Sequence, residues 1–203
     1  MNQRLLGWTG ITAIALAVVL LLSNGWHQGI KASSADTLQI AQESTEAVPT
    51  LTDVSGLTLS GTYEDPQGGF QVGILEGFSV SSVGGAPLFQ NDTGSLAYSL
   101  VRVPVNTEAP LPDIGLVEVT RQALNNGEGF QTQAFSSVPG GGLQIAWTGR
   151  LSQGSAPPQP LSGVTLAKQQ GAEVYLLVVA ALEDAAPQVP QVISLLSDSL
   201  TIL

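Results

Sequence analysis

Cysteine is absent from this 203-residue chain, and only one histidine, His27, is present. The first absence excludes disulfides, zinc-thiolate sites, thiol nucleophiles and thioether lipid anchors, so the redox state of the compartment leaves no mark on the sequence. Basic residues are also scarce. Six of them face sixteen acidic ones, a formal charge of -10 that repels phosphate backbones and argues against nucleic acid as a partner. Charged residues make up 11% and aromatics 5%, whereas 43% of the chain is hydrophobic and 23 residues are glycine. That balance suits a sheet-rich domain with many tight turns.

The run "LLGWTGITAIALAVVLLLSNGW", Leu5 to Trp26, contains no ionisable side chain and is long enough to cross a bilayer as a helix. We expect residues 1–30 to form a transmembrane anchor or a signal segment. With Arg4 and the amino terminus before it, the flanking charges put the rest of the chain outside the cytoplasm. Small residues Ser33, Ser34 and Ala35 offer a cleavage site before Asp36, so retention as a single-pass anchor and secretion after cleavage both stand as readings. Either one exports the remainder of the chain. Residues 31–60, rich in Ser, Thr, Ala and Gln with Pro49, read as a flexible linker in which Glu43 and Glu46 are solubilising. Residues 61–203 read as one domain.

That domain opens on "YEDPQGGFQVGILEGFSV", Tyr63 to Val80. A dinucleotide loop needs a second glycine where Phe70 stands, and no Walker lysine is present after it. Period-two alternation through Phe70, Val72 and Ile74, then Phe78 and Val80, predicts a hairpin closed at Glu76-Gly77. "SLAYSLVRVPV" predicts a strand ending at Pro104. Asp113 reads as the N-cap of an amphipathic helix carrying Leu116, Val119, Ala123 and Leu124 and closing at Gly127, with Glu118 and Arg121 as a surface pair. Further strands span Phe130–Val138 and Leu143–Leu151, joined at Gly140–Gly142, then Val164–Gln169 and "EVYLLVVAA", whose continuous apolar run predicts a central strand covered on both faces. Val189, Val192, Ile193 and Leu196 recur at helical spacing behind Pro187 and Pro190. The order predicts an α+β fold, a mostly antiparallel β-sheet flanked by helices. Phe70, Phe78, Trp147, Tyr175 and Leu177 are the expected core.

The Tyr63–Val80 run, the strand "AYSLVRVPV", the helix "DIGLVEVTRQAL", "EVYLLVVAALED" and the closing "VISLLSDSLTIL" together resemble the PsbP family of extrinsic photosystem II proteins and their relatives, over Tyr63 to Leu203. The chain departs from that pattern at Phe78, where the family often has Trp, and in lacking the lipobox cysteine of many bacterial members. A transmembrane helix would replace the lipid. The resemblance implies an exported PsbP-like domain, on the lumenal side of a thylakoid or in the periplasm, that assists photosystem assembly or stability through protein binding without catalysis. Some members bind divalent cations through His and carboxylates, but His27 lies outside the domain, so no metal site is carried over.

The residues themselves point the same way. Histidine- or cysteine-based triads and His-ligated metals would need His27 inside the fold. Only the acid pairs Glu64-Asp65 and Glu183-Asp184 leave paired-carboxylate hydrolysis open, and both read as turn residues. We therefore expect no catalytic, cofactor-binding or metal residues and no cofactor, and a protein partner beside the membrane. The other reading of a non-enzymatic domain is a binding module for an apolar ligand or envelope component.

Overall fold

The computed structural model describes residues 56–152 and 157–203, so the predicted anchor, His27, Glu43, Glu46 and nearly all of the linker lie outside the described residues. Two sheets form the frame. Strands β1 (Leu59–Glu64), β2 (Phe70–Leu75) and β10 (Thr201–Ile202) make a small sheet in the order β1-β2-β10. Strands β3 (Phe78–Val83), β4 (Ala86–Asn91), β5 (Leu96–Pro104), β6 (Gln131–Ser137), β7 (Leu143–Leu151), β8 (Gln159–Gln170) and β9 (Glu173–Leu182) make a seven-stranded sheet in the order β3-β4-β5-β9-β8-β7-β6. Every pairing in both sheets is antiparallel. Helices α1 (Asp113–Leu124) and α2 (Val189–Ser199) complete an α+β fold.

The period of β9 decides how the layers stack. Val174, Leu176, Val178 and Ala180 join the core under α1, while Tyr175, Leu177, Val179 and Ala181 join the core under α2 and the small sheet. The strand is central, between β5 and β8, and its apolar run is covered on both faces as its sequence predicts. β5 divides likewise: Ala97 faces α1, and Leu96, Tyr98 and Leu100 face α2.

The predicted hairpin across Glu76-Gly77 is not formed. β2 pairs with β1 and β10, whereas β3 pairs with β4, so Glu76-Gly77 is the point at which the chain leaves one sheet for the other. Alternation identifies strands but says nothing of their neighbours. Pro112, in extended conformation, holds the N-cap place expected of Asp113. Asp113 instead opens α1, and its Oδ2 accepts a hydrogen bond from Ser137 Oγ at 3.2 Å. Phe78 is only half-buried because its strand lies at a sheet edge, although it still packs on Tyr98 with ring centroids 5.5 Å apart. Phe70, Trp147, Tyr175 and Leu177 are buried as expected.

Candidate functional site

The opening motif builds a turn against the large sheet. Asp65 N–H donates to Phe70 O at 2.9 Å, Gly68 N–H to Asp65 O at 2.8 Å, and Gly69 N–H to Asp65 Oδ2 at 3.1 Å. The acid is thus consumed by its own loop, as a short polar side chain in a turn commonly is. Gly69 then passes so close to β5 that a Cβ there would stand 3.0 Å from Arg102 Nη1 and 3.0 Å from Asp65 Oδ2. Leu203 N–H donates to Gly69 O at 3.1 Å, which ties the last residue to the same turn.

Arg102 is the cation around which this corner is arranged. Its Nη2 donates to Gln67 Oε1, and its Nη1 stands 3.8 Å from Glu173 Oε2. Tyr175, opposite Arg102 across the β5–β9 ladder, donates its hydroxyl to the same Glu173 oxygen at 3.0 Å. Burial first, then that bond to a carboxylate, pushes the Tyr175 phenol above its ordinary range, so it is held as a neutral donor. Between the turn, the β3–β4 connection Gly84-Gly85 with the first residues of β4, and Leu100–Arg102 of β5 opens a cleft of about 300 Å³ lined also by Phe70. One guanidinium, the Asp65 carboxylate and the Gln67 amide line it.

The two acid pairs do not meet. Asp65 lies at the Arg102 end of β5, whereas Glu183-Asp184 come after Leu182, whose N–H donates to Ser95 O at 2.9 Å just before the other end. Six residues of strand separate those ends, about 20 Å. Glycosidic carboxylates stand roughly 5–10 Å apart, so these pairs cannot work as a dyad. Glu118 and Arg121 form the surface pair expected of them at 2.7 Å, and the guanidinium holds the Glu118 carboxyl below its ordinary range. Among the described residues no three His, Cys, Asp or Glu side chains gather to hold a metal ion. Nor is any helix among them long and apolar enough to cross a membrane.

Sequence reasoning did not single out Arg102. Its signal was present: it interrupts "LVRVPV", an otherwise apolar strand, and an isolated cation there needs partners from elsewhere in the fold.

No protein-family model matches the sequence, and no curated protein matches it. Among solved structures, the chain is similar to the cyanobacterial PsbP of Synechocystis, with 13% identity and a TM-score of 0.47 over 77% of this chain and 98% of that one. The Ran-binding protein Mog1p of Saccharomyces cerevisiae is similar over 72% of this chain and 96% of that one, with 9% identity and a TM-score of 0.49. LpqN of Mycobacterium tuberculosis, described as involved in cell envelope biogenesis, covers 70% of this chain and 88% of its own, with 14% identity and a TM-score of 0.43. These likenesses concern the course of the chain and assign no role to a residue.

Proposed function

We propose that the chain is a non-catalytic accessory module, tethered by Leu5–Trp26 on the lumenal or periplasmic side of a membrane, that binds a protein of a photosynthetic membrane complex and assists its assembly or stability. The observation that carries the reading is the use made of the Tyr63–Phe70 motif. Asp65, Gln67 and Gly69 are spent on a turn and on positioning Arg102, which leaves a recognition cleft. The central strands of the large sheet are packed on both faces with side chains such as Phe89, Tyr98 and Trp147. The photosynthetic setting is supported by the sequence resemblance to the PsbP family.

The test is recovery of the tagged full chain from solubilised membranes. Subunits or assembly factors of a photosynthetic complex should accompany it, and Arg102→Ala should weaken their recovery while the variant remains folded. Finding none of them would sink the reading. Carbonate washing addresses the tether separately, since a released species beginning near Asp36 would show cleavage. Arg placed at Val18 should impair insertion of a retained anchor.

A further inference from the structure

Among the described residues, the edge strands of the two sheets are not alike. β1 carries a register shift between Leu59 and Gly61, and β6 one between Thr132 and Phe135. Such bulges interrupt a ladder and keep an edge from being extended. Among the described residues β3 carries no such bulge. It pairs without interruption from Phe78↔Asn91 to Val83↔Ala86, and its own sequence, FSVSSV, has no proline and no charge. Indeed the whole hairpin from Phe78 to Asn91 lacks an ionisable residue, in a chain of net charge -10.

We propose that the β3 edge is a homodimer interface, at which a second copy of this chain adds its own β3 antiparallel to form a continuous sheet across a twofold axis. Charge selects the occupant. Two copies of so acidic a molecule repel wherever their carboxylates meet, and this hairpin offers an edge where they do not. An antiparallel pair related by a twofold perpendicular to the sheet places residues of the same face opposite each other, so a residue lies on the axis. Val80, in the middle of the strand and 44% exposed, is that residue. Phe78 then meets Ser82 of the second copy, and Ser79 meets Ser81. Glu76 falls beyond the paired strands toward the neutral Gly84-Gly85 of the second copy. Val80 is already cross-strand from Phe89, which is fully buried in the core under α2. A second Val80 beside it extends that core across the axis and removes exposed apolar surface from water.

The absence of cysteine supplies a clean test. In the full chain, Val80→Cys places two thiols across the axis on Cα atoms about 4.5–5.5 Å apart, within reach of a disulfide. Mild oxidation should convert most of the 20.9 kDa species into one of twice that mass on a non-reducing gel. Phe135→Cys, equally exposed but on the bulged β6 edge, should remain single. Val80→Lys, which sets like charges on the axis, should reduce the dimer fraction seen by sedimentation of the full chain in detergent. Val80→Cys that cross-links no more than Phe135→Cys overturns the proposal. So does a disulfide-free protein that sediments as a monomer throughout, or a β3 edge that captures a strand of a different protein in place of a second copy.

Discussion

At the residue scale, the glycine most closely approached among the described residues is one whose importance no pattern announces. A Cβ on Gly163 would stand 2.1 Å from Val179 O of β9 and 2.3 Å from Trp147 Cζ2 of β7, so the glycine is pressed by both neighbouring strands. Trp147 was legible as core from its alternation with Gln144, Ala146 and Thr148; Gly163 was not, since only the register Trp147↔Gly163 shows what covers it. Trp147→Ala should lower stability by about 3–5 kcal/mol, and Gly163→Ala, which adds one carbon, by about 1–3 kcal/mol. Chemical unfolding of each variant measures both, and a neutral Gly163→Ala would show that the indole and the β9 backbone both have room to move. Tyr98 works in the opposite sense, through its polar end. Its hydroxyl donates to Gly73 O at 2.9 Å and accepts from Leu75 N–H at 3.1 Å, so one buried side chain of the large sheet holds the C-terminal half of β2. Tyr98→Phe leaves both backbone groups unpaired and should cost about 1–3 kcal/mol, although the volume removed is a single oxygen. An unchanged unfolding midpoint would show that β2 is held by packing alone.

At the element scale, strands and helices were readable from period and punctuation, and their partners were not. β7 and β9 announce themselves by alternation and by a continuous apolar run, and α1 by Leu116, Val119 and Leu124. β4 passed unnoticed because APLFQN contains a proline and is buried on both faces over Pro87–Gln90, so it has neither alternation nor a long apolar run. The small sheet was hidden for a further reason: its third strand is the two-residue β10, which joins β2 from the far end of the chain. What fastens it is Ser199, at the end of α2. Its Oγ donates to Leu196 O at 2.9 Å and accepts from Gly73 N–H at 3.0 Å, and Gly73 has no side chain because a Cβ would meet that hydroxyl at 3.0 Å and Leu59 at 2.7 Å. Ser199→Ala therefore strands the Gly73 N–H and should cost about 1–2 kcal/mol. Faster hydrogen exchange at Gly73 and at Leu203, whose N–H binds Gly69 O, should accompany it. Exchange unchanged at both would separate the serine from the docking of the C-terminal strand.

At the scale of the whole molecule, the fold class was legible because a polar tail, alternating strands and two amphipathic helices leave few other layer arrangements. The Arg102 cleft was not legible, because Gln67, Arg102 and Glu173 come from distant parts of the chain and only the two-sheet arrangement brings them together. The same arrangement makes a global prediction. All three tyrosines, Tyr63, Tyr98 and Tyr175, have phenols raised above their ordinary range, in each case chiefly by burial, with nearby Asp65 adding to the effect at Tyr63 and Glu173 at Tyr175. A phenol raised in the folded state ionises first in the unfolded chain, where its pKa is about 10. Its contribution to stability is therefore complete below that pH and is lost as pH climbs toward the folded value. Unfolding midpoints should be level between about pH 8 and 9 and fall steadily above pH 10, while the phenolate absorbance of the folded protein lags behind that of the unfolded chain. Tyr98 is the most deeply buried of the three and is shielded from salt, so Tyr98→Phe should flatten the alkaline slope even though it lowers stability at neutral pH. If the folded protein's phenols titrate with those of the unfolded chain, or if salt abolishes the whole slope, then the tyrosines are not held neutral by the fold and the alkaline response is one of net charge alone.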